Sequence, residues 1–270
     1  MNKGKKDYTF ADLIGIIEVL RGDNGCPWDR VQTHDSIKMN LVEESYEAIE
    51  ALDSGDKDAF ADELGDLLLQ VVFHAEIGKS EHTFTINDVL NHICNKMISR
   101  HSHIFGSDRA DTPEEVLDTW EKNKRREKGL SSTTQSMKDV CRCLPALMRA
   151  QKITSKAAKA GFDWSDIHDA VAKVQEETVE LSKAVQSGDL NAIEEELGDL
   201  LFAAVSVARF ADLKAETALS RATEKYIDRF EKTEELAHKK NKAFSDMAAD
   251  ELEAIWKQAK ELKSVNFNEG

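Results

Sequence analysis

Apolar residues recur along this chain at the three-to-four-residue spacing that places them on one face of a helix. The stripes cover residues 13–20 and about 36–52, 57–78 and 86–99. The third segment is apolar on nearly every side between Leu64 and Phe73, so it is expected to be largely buried. The pattern predicts helices packed as antiparallel bundles, because the turns between them are short.

Short polar segments separate these helices. Ser54-Gly55-Asp56 is typical of a turn whose aspartate caps the helix that follows. Thr112-Pro113-Glu114-Glu115 combines an N-cap residue, a proline at the first helical position and acids in the first turn. It predicts a helix that ends near Gly129. The Ser- and Thr-rich residues from 129 to 136 are the best candidate for a linker.

An acidic pattern occurs twice in the chain. Glu43-Glu44-Ser45-Tyr46-Glu47, followed by Glu63-Leu64-Gly65-Asp66, returns as Glu176-Glu177-Thr178-Val179-Glu180, followed by Glu196-Leu197-Gly198-Asp199. Every position is displaced by the same 133 residues, and about half of residues 43–75 are identical to their partners without a gap. A repeat of this length is typical of a duplicated domain. We therefore expect an N-terminal domain at 1–130, a linker at 131–136 and a C-terminal domain at 137–270.

Composition supports an almost wholly helical protein. Of the 270 residues only 3 are proline and 13 are glycine, and Ala, Leu, Glu and Lys are abundant. The formal net charge of −15 disfavours a nucleic-acid polymer or an anionic membrane as the main partner. The four cysteines show no disulfide framework, and Cys141 and Cys143 lack the second pair expected of a zinc site. Reduced thiols, no apolar signal core near the N-terminus and no transmembrane run predict a cytoplasmic protein.

The repeated acids are candidates for metal binding. Carboxylates three residues apart lie on one helix face, and the short turn folds the two helices of each repeat together. Next to an apolar helix such groups need a compensating cation, and an all-oxygen ligand set suits Mg²⁺ or Mn²⁺. The predicted ligands are Glu44, Glu47, Glu63 and Asp66 in the first repeat and Glu177, Glu180, Glu196 and Asp199 in the second. The opposing interpretation, solvated acids on helix faces, is weakened because the pattern recurs within apolar sequence.

A second duplicated pattern consists of basic and aromatic residues. Each repeat carries Lys-x3-Arg in its third helix and Trp-x3-Lys in the next. Basic residues on one helix face suit a polyphosphate, and an indole suits the face of a nucleobase. The residues are Lys96, Arg100, Trp120 and Lys124 in the first repeat and Lys225, Arg229, Trp256 and Lys260 in the second. Surface decoration and a core tryptophan are the simpler alternatives, and the recurrence favours ligand contact.

These motifs, with Gly25-Cys26-Pro27-Trp28-Asp29 and the tandem arrangement, resemble the MazG family of nucleoside triphosphate pyrophosphohydrolases over nearly the whole chain. The resemblance implies an all-α fold of tandem domains and a homodimer whose packed helices complete the sites. It also implies Mg²⁺-dependent cleavage of a nucleoside triphosphate to monophosphate and pyrophosphate. The eight carboxylates match the family's metal ligands, and the basic and aromatic residues of the second repeat match its nucleotide contacts. The second repeat has Gly161-Phe162-Asp163-Trp164 in place of Cys-Pro-Trp-Asp, which puts equal activity of the two repeats in doubt.

The expected mechanism is metal-assisted hydrolysis, with Glu43 and Glu176 as candidates to orient the attacking water or act as general base. The missing P-loop motif argues against a motor-type NTPase, and a di-iron site would need a histidine where Asp66 and Asp199 stand. An isoprenoid-synthase-like enzyme would want aspartate-rich runs. The non-enzymatic alternative is a helical dimerisation or interaction module with solvated acidic faces. The physiological role is open between cleansing of the nucleotide pool and control of a nucleotide signal.

Overall fold

A computed structural model of the chain describes residues 7–262. Between these residues every regular element is a helix: fourteen α-helices and one 3₁₀ helix. The predicted all-α fold is therefore confirmed. None of the helices in the described range is long and apolar enough to cross a membrane. The outer ends of the two predicted domains and the first residues of the N-terminal segment inspected for a signal lie outside the described residues.

The chain divides into two compact units between Lys124 and Arg125. The helices that begin in the first unit are α1 (Phe10–Arg21), α2 (Pro27–Val31), α3 (His34–Ile37), α4 (Asn40–Ser54), α5 (Lys57–Ser80), α6 (Ile86–Arg100), α7 (Ser102–Phe105) and α8 (Pro113–Glu127). The core of this unit joins α1, α3 and α5 through buried Ile17, Ile37 and Phe73. This core fixes the position of α5, which carries half of the acidic pattern.

The second unit repeats the order of long helices. It contains α9 (Thr133–Lys138), α10 (Ala146–Lys159), α11 (Ile167–Ser187), α12 (Leu190–Phe210), α13 (Ala215–Lys239), a 3₁₀ helix (Phe244–Asp246) and α14 (Ala249–Glu261). One core cluster joins α13 to α14, with Ile255 fully buried between Leu236 and Met247. The four free thiols are consistent with the absence of a disulfide framework.

The boundary between the predicted domains stays a prediction. Helix α8 crosses the division between the units, and α9 begins within the predicted linker at 131–136. The hydroxyl of Ser132 accepts a hydrogen bond from the amide of Gln135, forming a capping box at the start of α9. The Ser-rich composition that suggested a linker thus includes a helix cap.

The acidic helices of each repeat form a hairpin with the same turn. Gly55 and Gly188 end α4 and α11 in the left-handed conformation, with φ of 77° and 73°. Asp56 and Asp189 then cap α5 and α12: the carboxylate of Asp56 accepts hydrogen bonds from two backbone amides, and that of Asp189 accepts one from the amide of Asn191. The turn predicted at Ser54-Gly55-Asp56 is confirmed, and it brings α4 against α5 and α11 against α12.

The helix expected from about residue 36 is split in two. A short helix α3 is followed by a turn at residues 38–39, and α4 then begins at Asn40. Thr33 and Ser36 form the capping box that starts α3, and Ile37 at its end is buried in the core. Lys38 and Met39 keep right-handed helical φ and ψ values, so the break interrupts the helix for only two residues.

The segment between α1 and α2 is a tight turn at the Gly-Cys-Pro-Trp-Asp motif. The amide of Gly25 donates to the Gly22 carbonyl and that of Cys26 to the Leu20 carbonyl, both at 2.8 Å. The Arg21 guanidinium donates to the carbonyls of Asp29 and Gln32, which ties the motif to α1. A Cβ on Gly25 would overlap the Leu20 carbonyl group, so glycine is required there by close approach.

Replacing Gly25 with alanine is therefore expected to lower the free energy of unfolding by about 1–3 kcal/mol, because the turn must open to admit the methyl group. Urea unfolding followed by circular dichroism measures the change. The matched control is Asn24→Ala at the exposed neighbouring position, expected to stay within about 0.5 kcal/mol of the parent. Equal stability of the two variants would contradict the proposed close approach.

Candidate metal centres

The hairpin of the first repeat brings together three carboxylates. Glu44 on α4 and Glu63 and Asp66 on α5 each offer an oxygen, and these three oxygens lie within 4.8 Å of one another. The three-residue spacing of Glu63 and Asp66 puts both on the face of α5 that meets α4. All three side chains are partly buried, so the group forms a concave acidic site rather than a scatter of surface charges.

The second hairpin builds the same arrangement. Glu177 on α11 and Glu196 and Asp199 on α12 place their oxygens within 4.8 Å of one another. Glu177 is only 4% exposed, whereas Asp199 is exposed. These two groups are the sets of three such side chains that converge within residues 7–262. The duplicated sequence pattern therefore corresponds to duplicated geometry.

The fourth predicted ligand of each repeat lies beside the group of three. Repulsion from Glu47 on α4 helps to raise the pKa of Glu63 on α5. Glu180 has the same relation to Glu196. Glu47 and Glu63 also line an open cleft of about 320 Å³ beside the Ser54 turn. In each repeat three of the four predicted carboxylates thus lie together. The fourth is close enough to raise the pKa of the glutamate on the neighbouring helix.

Burial and mutual repulsion make these acids hard to ionise together. Burial raises the pKa of Glu44 above its usual 4.5, and Asp66 and Glu47 raise it further, against a lowering hydrogen bond from Gln70. The pKa values of Glu63 and Glu196 are raised mainly by burial and then by the neighbouring carboxylates. A divalent cation among these oxygens would relieve the repulsion, and an all-oxygen donor set is what Mg²⁺, Mn²⁺ or Ca²⁺ requires. The residues present therefore fit a hard divalent cation.

The two repeats differ in how the buried glutamate is compensated. In the second repeat the Lys173 ammonium lies 2.6 Å from Glu177 and 2.8 Å from Glu176, and hydrogen bonds to both glutamates raise the pKa of Lys173. In the first repeat the equivalent position is Asn40, and Glu44 instead accepts a hydrogen bond of 3.3 Å from the Gln70 amide. Lys173 is not among the site residues predicted from the sequence, although its four-residue spacing from Glu177 places the two side chains on one helix face.

The two acids predicted to handle water lie outside the groups of three. Glu43 is exposed on α4. Glu176 is paired with Lys173 and keeps 58% of its side chain exposed. Each precedes the first glutamate of its group of three by one residue, and on a helix this turns its side chain away by about 100°. Their predicted role stays a prediction.

Arginine and tryptophan meet in the same way in both repeats. The Arg100 guanidinium lies 5.3 Å from the ring centre of Trp120, and that of Arg229 lies 5.0 Å from the ring centre of Trp256. The two predicted motifs of each repeat are thus brought together across neighbouring helices. Lys96, Lys225 and Lys260 are exposed and Lys124 is half-buried. The contacting aromatic neighbours differ: the His101 ring packs edge-on against Trp120, and Tyr226 packs against Trp256.

Two all-helical units, each built on a hairpin that gathers acidic side chains, define a tandem helical protein with duplicated carboxylate centres. The chain belongs to the family of the MazG nucleotide pyrophosphohydrolase domain, whose model matches residues 32–105 and 166–234. Both hairpins fall within these two matches, so the family relationship covers the duplicated centres.

The chain is also similar to individual relatives over most of its length. It is 42% identical over 251 residues to the nucleoside triphosphate pyrophosphohydrolase/pyrophosphatase MazG of Thermotoga maritima, covering 93% of this chain and 95% of that protein. It is 40% identical over 251 residues to the nucleoside triphosphate pyrophosphohydrolase of Escherichia coli K12, covering 92% and 95%. The uncharacterized protein YabN of Bacillus subtilis is 43% identical over 260 residues, covering 95% of this chain and 52% of that protein.

The substitution Glu63→Gln is expected to have opposite effects on stability with and without a bound divalent cation. The folded protein favours the protonated form of Glu63, so this group's contribution to stability is lost as the pH rises from about 4.5 through the raised folded pKa. Without divalent cations, Glu63→Gln is expected to stabilise the protein at neutral pH, and the gain should shrink as the pH falls towards 4.5. With Mg²⁺ the order is expected to reverse, because only the parent site gains stability from the bound cation.

Urea unfolding at several pH values, in a chelator and in Mg²⁺, measures both effects. Asp53→Asn, at an exposed position on the same hairpin, is the control and should show neither. A Glu63→Gln protein that gains as much stability from Mg²⁺ as the parent would contradict binding of the cation at this group.

Proposed function

We propose that this protein hydrolyses nucleoside triphosphates, with ribose or deoxyribose, to nucleoside monophosphate and pyrophosphate in a Mg²⁺-dependent reaction. The observation that carries the proposal is the duplicated group of three carboxylates within 4.8 Å on a hairpin that falls inside each family match. The relatives from T. maritima and E. coli are both named as nucleoside triphosphate pyrophosphohydrolases, which supports the same reaction.

The acids would hold the divalent cation. Glu44, Glu63 and Asp66 form the centre of the first site, with Glu47 beside them, and Glu177, Glu196 and Asp199 form the second, with Glu180 beside them. Mg²⁺, for which Mn²⁺ can substitute, supplies positive charge at the polyphosphate and lowers the pKa of a bound water. The protein's own contribution is to fix the oxygens in one place before the substrate arrives, so that little reorganisation accompanies the reaction.

The basic and aromatic residues would hold the substrate. Lys96, Arg100 and Lys124 in the first repeat, and Lys225, Arg229 and Lys260 in the second, suit the phosphates and the departing pyrophosphate. Trp120 and Trp256 orient the two arginines through the observed stacking and contribute an aromatic face to the substrate. Glu43 and Glu176 are proposed to orient the attacking water, on the basis of their adjacency to Glu44 and Glu177.

The biological setting follows from the chemistry. Hydrolysis to the monophosphate would remove unwanted nucleotides from the pool or end a nucleotide signal. Four free thiols fit the reducing cytoplasm, where these substrates are found. The partner proposed for the protein is thus a small nucleotide, with no nucleic-acid polymer and no membrane surface involved.

Substitution of one carboxylate per repeat tests the reaction. Glu63→Gln and Glu196→Gln are each expected to remove the turnover of their own repeat, and the double variant should lose at least about 100-fold of the parent activity, because a preorganised charge at the reacting phosphate is missing. The assay incubates each protein with a panel of nucleoside triphosphates, with and without Mg²⁺, and identifies both products.

Monophosphate and pyrophosphate, formed only with metal, are the expected products. Diphosphate and orthophosphate would replace the proposed reaction by another phosphohydrolase. Full activity in the double variant would remove the carboxylates from the mechanism. No turnover and no Mg²⁺-linked stabilisation in the parent would favour a helical interaction module.

We further propose that the protein is a homodimer that packs through the hairpins. The same apolar positions are exposed in both repeats: Leu64 and Leu197 are 45% and 46% exposed, and Leu68 and Leu201 are 41% and 48% exposed. Between them, Gly65 and Gly198 lie mid-helix, where an added Cβ would meet no atom within 4 Å. A helical glycine costs about 1 kcal/mol relative to alanine, so its presence in both repeats fits the close approach of a second copy.

Introducing charge on this surface tests the assembly. The double substitution Leu68→Lys and Leu201→Lys is expected to shift sedimentation from dimer to monomer, because an ammonium cannot be buried unpaired in an apolar interface. Leu190→Lys is the matched control: Leu190 is 79% exposed at the start of α12, and the first repeat already has Lys57 there. A parent that sediments as a monomer, or a doubly substituted protein that remains a dimer, would contradict packing through this face.

A further inference from the structure

Two histidines face each other between α3 and α5 of the first unit. The Nδ1 atoms of His34 and His74 lie 2.8 Å apart, the ring centres are 5.1 Å apart, and the ring planes differ by only 7°. These values fit two rings that meet nitrogen to nitrogen in nearly one plane, so that an N–H of one ring points along the lone pair of the other. The contact is therefore a direct hydrogen bond, and it has room for a single proton.

The outer nitrogens decide which ring donates this proton. Nε2 of His34 lies 3.6 Å from a carboxylate oxygen of Glu81 at the end of α5, and the negative charge favours a proton on that nitrogen. Nε2 of His74 is buried and has no hydrogen-bond partner among the described residues, so a proton there would lack an acceptor. Both surroundings assign the inner proton to Nδ1 of His74, which donates to Nδ1 of His34.

The same arrangement makes the pair resist a further proton. Two neutral rings carry two protons on their four nitrogens, and one of these protons is shared between the Nδ1 atoms. A third proton that leaves this hydrogen bond intact requires an N–H at Nε2 of His74. Burial, and after it the charge of His34, lowers the pKa of His74 below its usual 6.5. Acid therefore either leaves a buried N–H without an acceptor or breaks the contact between α3 and α5.

The neighbouring helices bring no carboxylate that would offset this cost. Glu81 faces His34, and among the described residues His34 is the charged group that shifts the pKa of His74. The other charged side chains of the surrounding elements have contacts of their own. These are Lys79 with Glu18 and Glu76, Arg21 with the ring of Phe73, Asp35 with Lys38, Asp88 with Thr85, and Glu44 with Gln70.

The second repeat has aliphatic residues in place of both histidines. At the offset of 133 residues, Ile167 corresponds to His34 and Val207 to His74. The structure supports this register, because His34 and Ile167 are each the first residue of their helix. Neither aliphatic side chain can take up a proton. An effect of the histidine pair is therefore confined to the first repeat.

The pair lies where the chain leads into the first acidic helix. Two residues with helical φ and ψ values separate α3 from α4, which carries Glu44. The ring of His34 also packs against Phe84, with the ring centres 5.7 Å apart, so it joins α3 to the segment that follows α5. Loss of the hydrogen bond between His34 and His74 would loosen the start of α3 and, through it, the start of α4.

We propose that His34 and His74 form a proton-sensitive latch, which holds the start of α3 against α5 at neutral pH and opens on acidification in the first unit alone. The latch does not depend on the proposed function. One consequence does rest on that function: the turnover of the first repeat should fall at acid pH when the latch opens. The stabilisation is present above the usual pKa of histidine and is lost as the pH falls through the lowered pKa of the folded state.

Histidine NMR on the full chain tests the proton assignment without any substitution. Long-range nitrogen–proton spectra at about pH 8 are expected to show the proton of His34 on Nε2 and that of His74 on Nδ1. On acidification the pair should take up its next proton below pH 6.5, with the signals of both rings changing together. A proton on Nε2 of His74 at neutral pH, or titration of His74 at or above pH 6.5, would overturn the latch.

Hydrogen exchange tests the opening itself. The amides of Ser36 and Ile37 bond to Thr33 at the start of α3, and Asp169 and Ala170 bond in the same way to Asp166 in α11. From about pH 8 to about pH 5, after correction for intrinsic exchange rates, protection of the α3 amides is expected to fall at least about threefold. Protection of the matching α11 amides should stay constant. An equal loss in both helices would contradict a latch confined to the first unit.

A double substitution isolates the histidines. His34→Ile with His74→Val introduces the residues of the second repeat and should keep the α3 amides protected over the whole pH range, because no proton can enter. His92→Gln, at an exposed position on α6, is the control and should lose protection of α3 as the parent does. Circular dichroism establishes that each variant is folded. The same loss of α3 protection in the double variant as in the parent would overturn the latch.

Turnover tests the consequence for the reaction separately. In the Glu196→Gln protein, which keeps the first acidic centre, the rate at about pH 5 relative to that at about pH 8 is expected to rise at least about threefold when both histidines are replaced. In the Glu63→Gln protein the same replacement should leave this ratio unchanged. An unchanged ratio in both proteins would overturn the effect on turnover. A parent without turnover would overturn the proposed function, and the spectra and exchange rates would still decide the latch.

Discussion

The repulsion among carboxylates packed side by side is the constraint on which the rest of this structure depends. Each hairpin holds three acidic oxygens within 4.8 Å, and burial adds to the difficulty of ionising them. Such an arrangement persists only because the hairpin itself is strongly determined. A left-handed glycine and an aspartate cap define the turn of each hairpin, and in the first repeat an apolar core also holds α5 in place.

The duplication has preserved this constraint and changed its surroundings. In the first repeat a neutral amide from Gln70 contacts the buried glutamate, whereas in the second an ammonium from Lys173 does so. The first centre therefore has a neutral amide where the second has an ammonium, and its Glu44 also lines a cavity of about 280 Å³ with Trp28, Asn40 and Gln70. The second carries an internal cation that would have to share Glu177 with any bound metal ion. The two groups of carboxylates therefore have the same residue types but different charges beside them.

Much of this organisation could be predicted from the sequence because its causes are local. Helix periodicity, the Ser54-Gly55-Asp56 turn and the three-residue spacing of Glu63 and Asp66 act within a few residues. The break between α3 and α4 could not be predicted, because Lys38 and Met39 keep helical φ and ψ values and no glycine or proline marks it. The pairing of Arg100 with Trp120 could be expected only as a recurring pattern, since the contact joins different helices. The cavity lined by Glu44, Trp28, Asn40 and Gln70 draws on separate helices, and no spacing within the chain indicates it.

The short range of the hairpins also bears on how the protein folds. Glu44 and Asp66, like Glu177 and Asp199, are separated by 22 positions along the chain, and one turn suffices to bring each pair together. Contacts of such low sequence separation favour fast folding. We therefore expect the like charges to meet early, before the more distant packing of α1 against α5 offsets their repulsion. A divalent cation present at that stage would act on the folding pathway as well as on the finished site.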